Sequence, residues 1–166
     1  MGAGAGQRDV VILGVGLHPF GRFPGKTFVD LGKTAVREAL ADAEVKWKDI
    51  QAAYVAHVYY QGASPAERIL SELGLTGIPI VNVENACASG STAFWQAYWA
   101  IATGLYDIAL AAGTELVPKG PVSITTEDSP ERLLGTDHMM AGYAMSTRKY
   151  MEQHNAPVES IAQVSV

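Results

Sequence analysis

The sequence predicts an α/β fold with a layered, mostly parallel sheet, in the order strand, helix, strand, helix, strand, helix, strand. Three observations carry that prediction. Four short apolar runs alternate with segments of helical periodicity. The first run, Asp9 to Gly16, is continuously apolar after Asp9 rather than alternating, as suits a strand covered on both faces. The chain has 166 residues, 48% hydrophobic and 17% charged, enough for one domain with a core and too apolar for a disordered one.

The elements follow in order. Residues Met1 to Gln7 are Gly- and Ala-rich and lack the charged and apolar regions of a signal peptide, so residues 1–8 are expected to be a flexible tail. Met1-Gly2 opens like a myristoylation signal, but position 6 is Gly rather than Ser or Thr. After the first strand, Phe28, Leu31, Ala35, Val36, Ala39, Leu40 and Ala43 recur at helical spacing. Thr27 and Asp30 make a capping pair at the start of this helix. Ala52 to Val58 is a second strand. Pro65 to Leu73 is a short helix with Pro in its first turn. Ile78 to Val83 is a third strand, with Pro79 near its start where a missing donor costs little. Ser91 to Thr103 is an apolar helix ended by Gly104, and Asp107 to Gly113 is the fourth strand.

The α/β core is therefore expected over residues 9–113. Residues 114–166 change character. Thr114 to Gly135 contains Pro118, Gly120, Pro121 and Pro130 and reads as an irregular excursion, a kind of segment that is often functional. Met139 to Gln153 is helix-compatible, Pro157 to Val166 begins another helix, and the chain stops there without a stop signal, as if truncated.

Composition excludes several function classes. The formal net charge of −5, with no basic run, gives no reason to expect nucleic-acid binding. No stretch approaches the roughly 20 apolar residues of a membrane span. The single cysteine allows no intrachain disulfide and no multi-thiolate zinc site, which is consistent with a reducing, cytoplasmic setting. The histidines, His18, His57, His138 and His154, form no pair at metal-ligand spacing on one helix, so no metal site is expected. Gly14-Val15-Gly16 follows a strand, but Pro19 occupies the third glycine position of a dinucleotide fingerprint and no helix opens there. Ser89 and Ser91 lack the glycine two residues earlier that a hydrolase elbow needs.

Cys87 is the strongest candidate for chemistry. It follows an apolar strand and precedes a helix, where unpaired backbone donors and the helix dipole favour a thiolate. A thiolate is the attacking species in acyl transfer. Ala88, Ser89 and Gly90 are small enough to let a substrate approach and leave backbone N–H groups free for an oxyanion. The alternative is a buried structural cysteine, the usual fate of a lone one, and position by itself leaves both open.

The run Gly74 to Ala93, with Val83-Glu84-Asn85-Ala86-Cys87-Ala88-Ser89-Gly90-Ser91 at its centre, resembles the nucleophile segment of the thiolase superfamily. It is most similar to the sterol carrier protein type and the acetyl-CoA acetyltransferase group. Ala111-Ala112-Gly113-Thr114-Glu115 resembles the strand and turn that follow in that family, and Asp137-His138-Met139 resembles a stretch near the acyl pocket.

The resemblance implies a thiolase-like N-terminal half, one of two similar α/β halves, with a loop excursion over the active site. It implies an acyl-CoA acyltransferase in which Cys87 takes the acyl group as a thioester and its backbone N–H forms half of an oxyanion hole. Ser89, His138 and Met139 become candidate substrate-binding residues. Coenzyme A enters as part of the substrate, with no tightly bound cofactor. The implied partners are a second copy, meeting near the third strand (Ile80 to Asn85), and a complementing chain or a zinc-ribbon/oligonucleotide-fold protein. In that family the activating histidine and the remaining oxyanion donors belong to the C-terminal half, so this chain by itself is expected to be inactive. A condensing or retro-aldol enzyme subunit and a non-catalytic scaffold half are the alternatives.

Overall fold

The computed structural model describes residues 8–60, 62–117, 119–123 and 129–166. The expected tail, apart from its last residue, lies outside them, as do Pro118 and residues 124–128 of the expected excursion. The chain divides into two compact units, residues 1–117 and 118–166.

In the first unit, α1 (Phe28–Asp42), β1 (Ala52–Ala56), α2 (Pro65–Leu70), β2 (Ile80–Val83), α3 (Ser89–Ala102) and β3 (Ala109–Gly113) follow in sequence. The sheet has the order β2-β1-β3 and both pairings are parallel. Ala53 is in register with Ile80, Ala56 with Val83 on one side and with Gly113 on the other. All three strands therefore end in one row. In an open parallel sheet that row is where sites form.

β1 is buried on both faces, as expected of a central parallel strand. Ala53 and Val55 join Phe28 and Val36 of α1, Ala66, Ile69 and Leu70 of α2, and Leu110 of β3 in the main core. Ala56, on the alternate face, packs with Val83 and with Ala93 of α3. Helices thus cover both sides. Gly32 lets α1 and α2 approach: a Cβ there would stand 2.8 Å from Ile69 Cδ1.

Local signals explain the starts of these elements. Thr27 caps α1 in a capping box: Asp30 N donates to Thr27 Oγ1 (3.2 Å), and Thr27 N donates to Asp30 Oδ2 (2.9 Å). Pro65 opens α2, where its missing N–H would have had no intrahelical partner. Pro79 stands just ahead of β2 and contributes only its carbonyl, which accepts from Ala53 N at 3.0 Å. On β2, Asn82 ties strand to helix, accepting from Ala66 N and donating to Glu67 Oε2, both at 2.8 Å.

The first expected strand does not form. Residues 9–16 belong to no ladder, so among the described residues the sheet has three strands rather than four. Two amides at its C-terminal end are engaged by α1 instead. Val15 N donates to the Asp42 carboxylate (2.8 Å) and Leu17 N to that of Glu38 (3.1 Å), both near the end of α1. Gly14 and Gly16 bring the backbone against that helix: a Cβ at Gly16 would overlap Ala35 O and Ala39 N. This glycine pair, whose spacing does not fit a nucleotide-binding loop, is thus a packing device. Between this segment and β3 lies a cavity of about 570 Å³, lined by Ile12, Val36, Phe94 and Leu110 among others.

In the second unit, α4 (Pro130–Leu133), α5 (Met139–His154) and α6 (Val158–Ala162) occur. α5 falls in the helix-compatible stretch Met139 to Gln153, and α6 where another helix is expected to begin. α4 interrupts the expected irregular excursion. Its signal was present in Ser129-Pro130-Glu131: Ser129 Oγ accepts from Arg132 N (3.2 Å) and Pro occupies the first turn.

Candidate active site

Cys87 sits four residues past the end of β2, in a single 3₁₀ turn (Ala86–Ala88) that leads into α3. It is exposed. The turn reverses the chain abruptly. Asn85 has φ −152° and ψ 48°, and Ala86 has φ +45°, in the left-handed region that a Cβ disfavours. Non-glycine residues held there persist only when their surroundings over-determine them, and they concentrate at functional sites.

Those surroundings are four side chains. Ser89, 4% exposed, accepts from Asn85 N at 2.7 Å and donates to Ala86 O at 2.7 Å. Glu84 Oε1 accepts from Ala86 N at 2.7 Å. Asn85 Nδ2 donates to Thr92 Oγ1 at 3.0 Å, one turn into the helix. Every backbone polar group from Asn85 N to Ala86 O that the turn would strand has a partner, since Asn85 O itself accepts from Ala88 N at 2.9 Å. The N-cap of α3, Ala88, supplies no side-chain cap, so the helix start is not closed over by its own residue. Around Gly90 a Cβ would meet nothing within 4 Å.

The neighbouring strand ends complete the rim. Glu115, two residues past β3, accepts from Val58 N (2.7 Å) and Tyr59 N (2.8 Å) through Oε2, holding the loop that leaves β1. His57 N donates to Val83 O (3.1 Å), and its buried Nδ1 has no hydrogen-bond partner. The 570 Å³ cavity is not part of this rim, as its lining includes Gly90 but not Cys87.

Of the four expected site residues, Cys87 and Ser89 stand together on this turn. His138 and Met139 belong to the second unit. There His138 stands at the N-cap position of α5 without a side-chain capping bond and is exposed, with Nδ1 3.8 Å from Asp137 Oδ1, while Met139 N donates to Val122 O at 2.9 Å. Asp137, buried, accepts from Ser123 Oγ at 2.8 Å, and Ser123 and His138 form an antiparallel bridge. Sequence pattern does not single out Glu84, Asn85 and Thr92. Their signal is compositional: Glu, Asn, Ser and Thr side chains clustered around a chain reversal offer local bonds to backbone. Among the described residues no group of three or more His, Cys, Asp or Glu side chains could hold a metal.

Residues 10–166 match the family described as "Thiolase, N-terminal domain". Sterol carrier protein 2 of Bos taurus is 33% identical over 174 residues, covering 95% of this chain and 32% of its own length. Acetyl-CoA acetyltransferase of Methanothermobacter thermautotrophicus is 34% identical, covering 96% of this chain and 44% of its own. Benzoylsuccinyl-CoA thiolase subunit BbsB of Thauera aromatica is 34% identical, covering 96% and 42%. The chain thus spans less than half the length of these relatives. Among solved structures, the priming β-ketosynthase of the R1128 polyketide pathway aligns with a TM-score of 0.55 at 21% identity, over 60% of this chain and 40% of its own, and shares the fold. On the family match over nearly its whole length, the chain belongs to the thiolase family, as an N-terminal domain.

Proposed function

We propose that this chain is the nucleophile-bearing half of a thiolase-type acyl-CoA acyltransferase, and that Cys87 accepts the acyl group. One observation carries the proposal: the chain's single cysteine is exposed on a turn with left-handed Ala86 at a helix start, beyond the C-terminal end of a parallel strand. Relatives named acetyl-CoA acetyltransferase and benzoylsuccinyl-CoA thiolase support the reaction class.

The chemistry follows from the geometry. The Cys87 thiolate attacks the carbonyl carbon of an acyl-CoA thioester, and the carbonyl π electrons move onto oxygen. Backbone N–H groups at the start of α3, with the positive end of its dipole, are the donors this chain offers to that oxyanion. The intermediate collapses with cleavage of the bond to the coenzyme A sulfur. The acyl group stays on Cys87 as a thioester and coenzyme A departs as thiolate, to be protonated. Transfer onward, to coenzyme A or to an acetyl-CoA carbanion, needs a base that the resemblance assigns to a C-terminal half. His138 and Met139 are proposed for the acyl pocket on the resemblance alone. A second copy is proposed to pair through the open edge of β2, where Val81 is 39% exposed.

The test is Cys87→Ala in the assembled enzyme. Turnover is expected to fall by at least about 10³-fold, as on loss of a covalent nucleophile. Retained turnover rules the proposal out.

A further inference from the structure

We infer that Ser89 is a positioning residue for Cys87, a clamp whose one oxygen holds the strained elbow shut; this rests on the reading of Cys87 as nucleophile. The Ser89 hydroxyl closes a ring across the two residues that precede the thiol. It takes the N–H of Asn85 and gives its own proton to the carbonyl of Ala86, each at 2.7 Å. These two backbone groups bracket the residue whose φ is +45°. Rotation of Ala86 back to an ordinary φ would swing its carbonyl and the Asn85 amide relative to one another, and would break one or both bonds.

The hydroxyl has little left for a substrate. Its proton is committed to Ala86 O, one lone pair is committed to Asn85 N, and the residue is 4% exposed. Ser91 differs: it is exposed, and its hydroxyl returns only to Ala88 O at 3.0 Å. The substrate-binding role expected for Ser89 therefore becomes an indirect one. Ser89 sets where Cys87 stands relative to the helix-end donors, and an error of about 1 Å in such placement can cost about 10²-fold in rate.

A clamp of this kind has a specific consequence at Ala86. If Ser89 acts by holding a left-handed alanine, then glycine at that position, which adopts φ +45° without penalty, makes the clamp dispensable. A merely structural serine would be missed equally in both backgrounds. The measurement is the rate of Cys87 alkylation by iodoacetamide at fixed pH in wild type, S89A, A86G and the A86G/S89A double variant, with melting temperatures alongside. S89A is expected to react at least about tenfold more slowly, because the thiol loses its fixed placement at the start of α3. The double variant is expected to lie within about threefold of A86G, a non-additive cycle. Wild-type reactivity in S89A, or the same fold-loss in both backgrounds, overturns the inference. If S89A does not fold, A86G against A86G/S89A decides alone: near-equal rates support the clamp and a tenfold drop overturns it.

Acylation of the wild type by acetyl-CoA separates the two readings. No acylation in the presence of the completing chain, together with a slow S89A, refutes the acyltransferase reading and leaves the clamp. Acylation together with normal S89A alkylation refutes the clamp and leaves the enzyme.

Discussion

A β-carbon in the left-handed region costs about 1–2 kcal/mol, and Ala86 bears it one residue before Cys87. Glycine would remove that strain but add about 0.5–1 kcal/mol of backbone freedom to the unfolded chain. Ala86→Gly is therefore expected to stabilise the protein slightly, by less than about 1 kcal/mol, read as a small rise in melting temperature. A clear destabilisation would mean that Ala86 is not strained. At this scale the sequence is only partly legible. Cys87 and the small residues after it can be picked out, because strand-to-helix position and motif both point there. The roles of Glu84, Asn85 and Ser89 cannot, because which hydroxyl meets which amide depends on dihedral angles that composition does not specify.

At the scale of elements, capping and periodicity are the dependable signals. Thr27 and Asp30 form the expected box, and the Thr27 hydroxyl, then the Thr27 backbone N–H, hold the Asp30 carboxyl below the usual carboxylate range. A carboxyl depressed in the folded state contributes stability above its unfolded pKa and loses it as pH falls through the folded value. The contribution is thus present at about pH 6 and disappears progressively below about pH 4. Thr27→Ala should lower the melting temperature at about pH 6 and reduce the further drop on acidification to about pH 3. An unchanged acid dependence would show that the box does not govern it.

Residues 9–16, the part of the core that pattern misassigns, show where such reading stops. An apolar run states that a segment wants cover, yet here Val11, Ile12, Leu13 and Val15 remain 71%, 67%, 53% and 68% exposed. Here the carboxylates of Glu38 and Asp42 take the amides of Leu17 and Val15, and two glycines allow the backbone against α1. A strand and a helix-hugging segment share that composition.

At the scale of the molecule, apolar surface is left uncovered. Phe94, Trp95 and Trp99 of α3 are 52%, 59% and 41% exposed, more than a monomeric soluble domain usually shows in one run. The uncovered aromatic face and the open edge of β2 both fit the proposed assembly with further polypeptide. For the edge, Val81→Lys places a charge on the β2 strand, a substitution that blocks edge pairing. Sedimentation should show a dimer for the wild type and a monomer for V81K. A dimer that survives V81K removes β2 as the contact.

The decisive question is whether Cys87 takes an acyl group. Incubation of the folded protein with acetyl-CoA, followed by intact and peptide-resolved mass spectrometry, reads this directly. One acetyl group on the peptide carrying Cys87, discharged by hydroxylamine and absent from Cys87→Ala, is the predicted result. A folded protein, supplied with any completing chain, that acquires no acetyl group on Cys87 would contradict it.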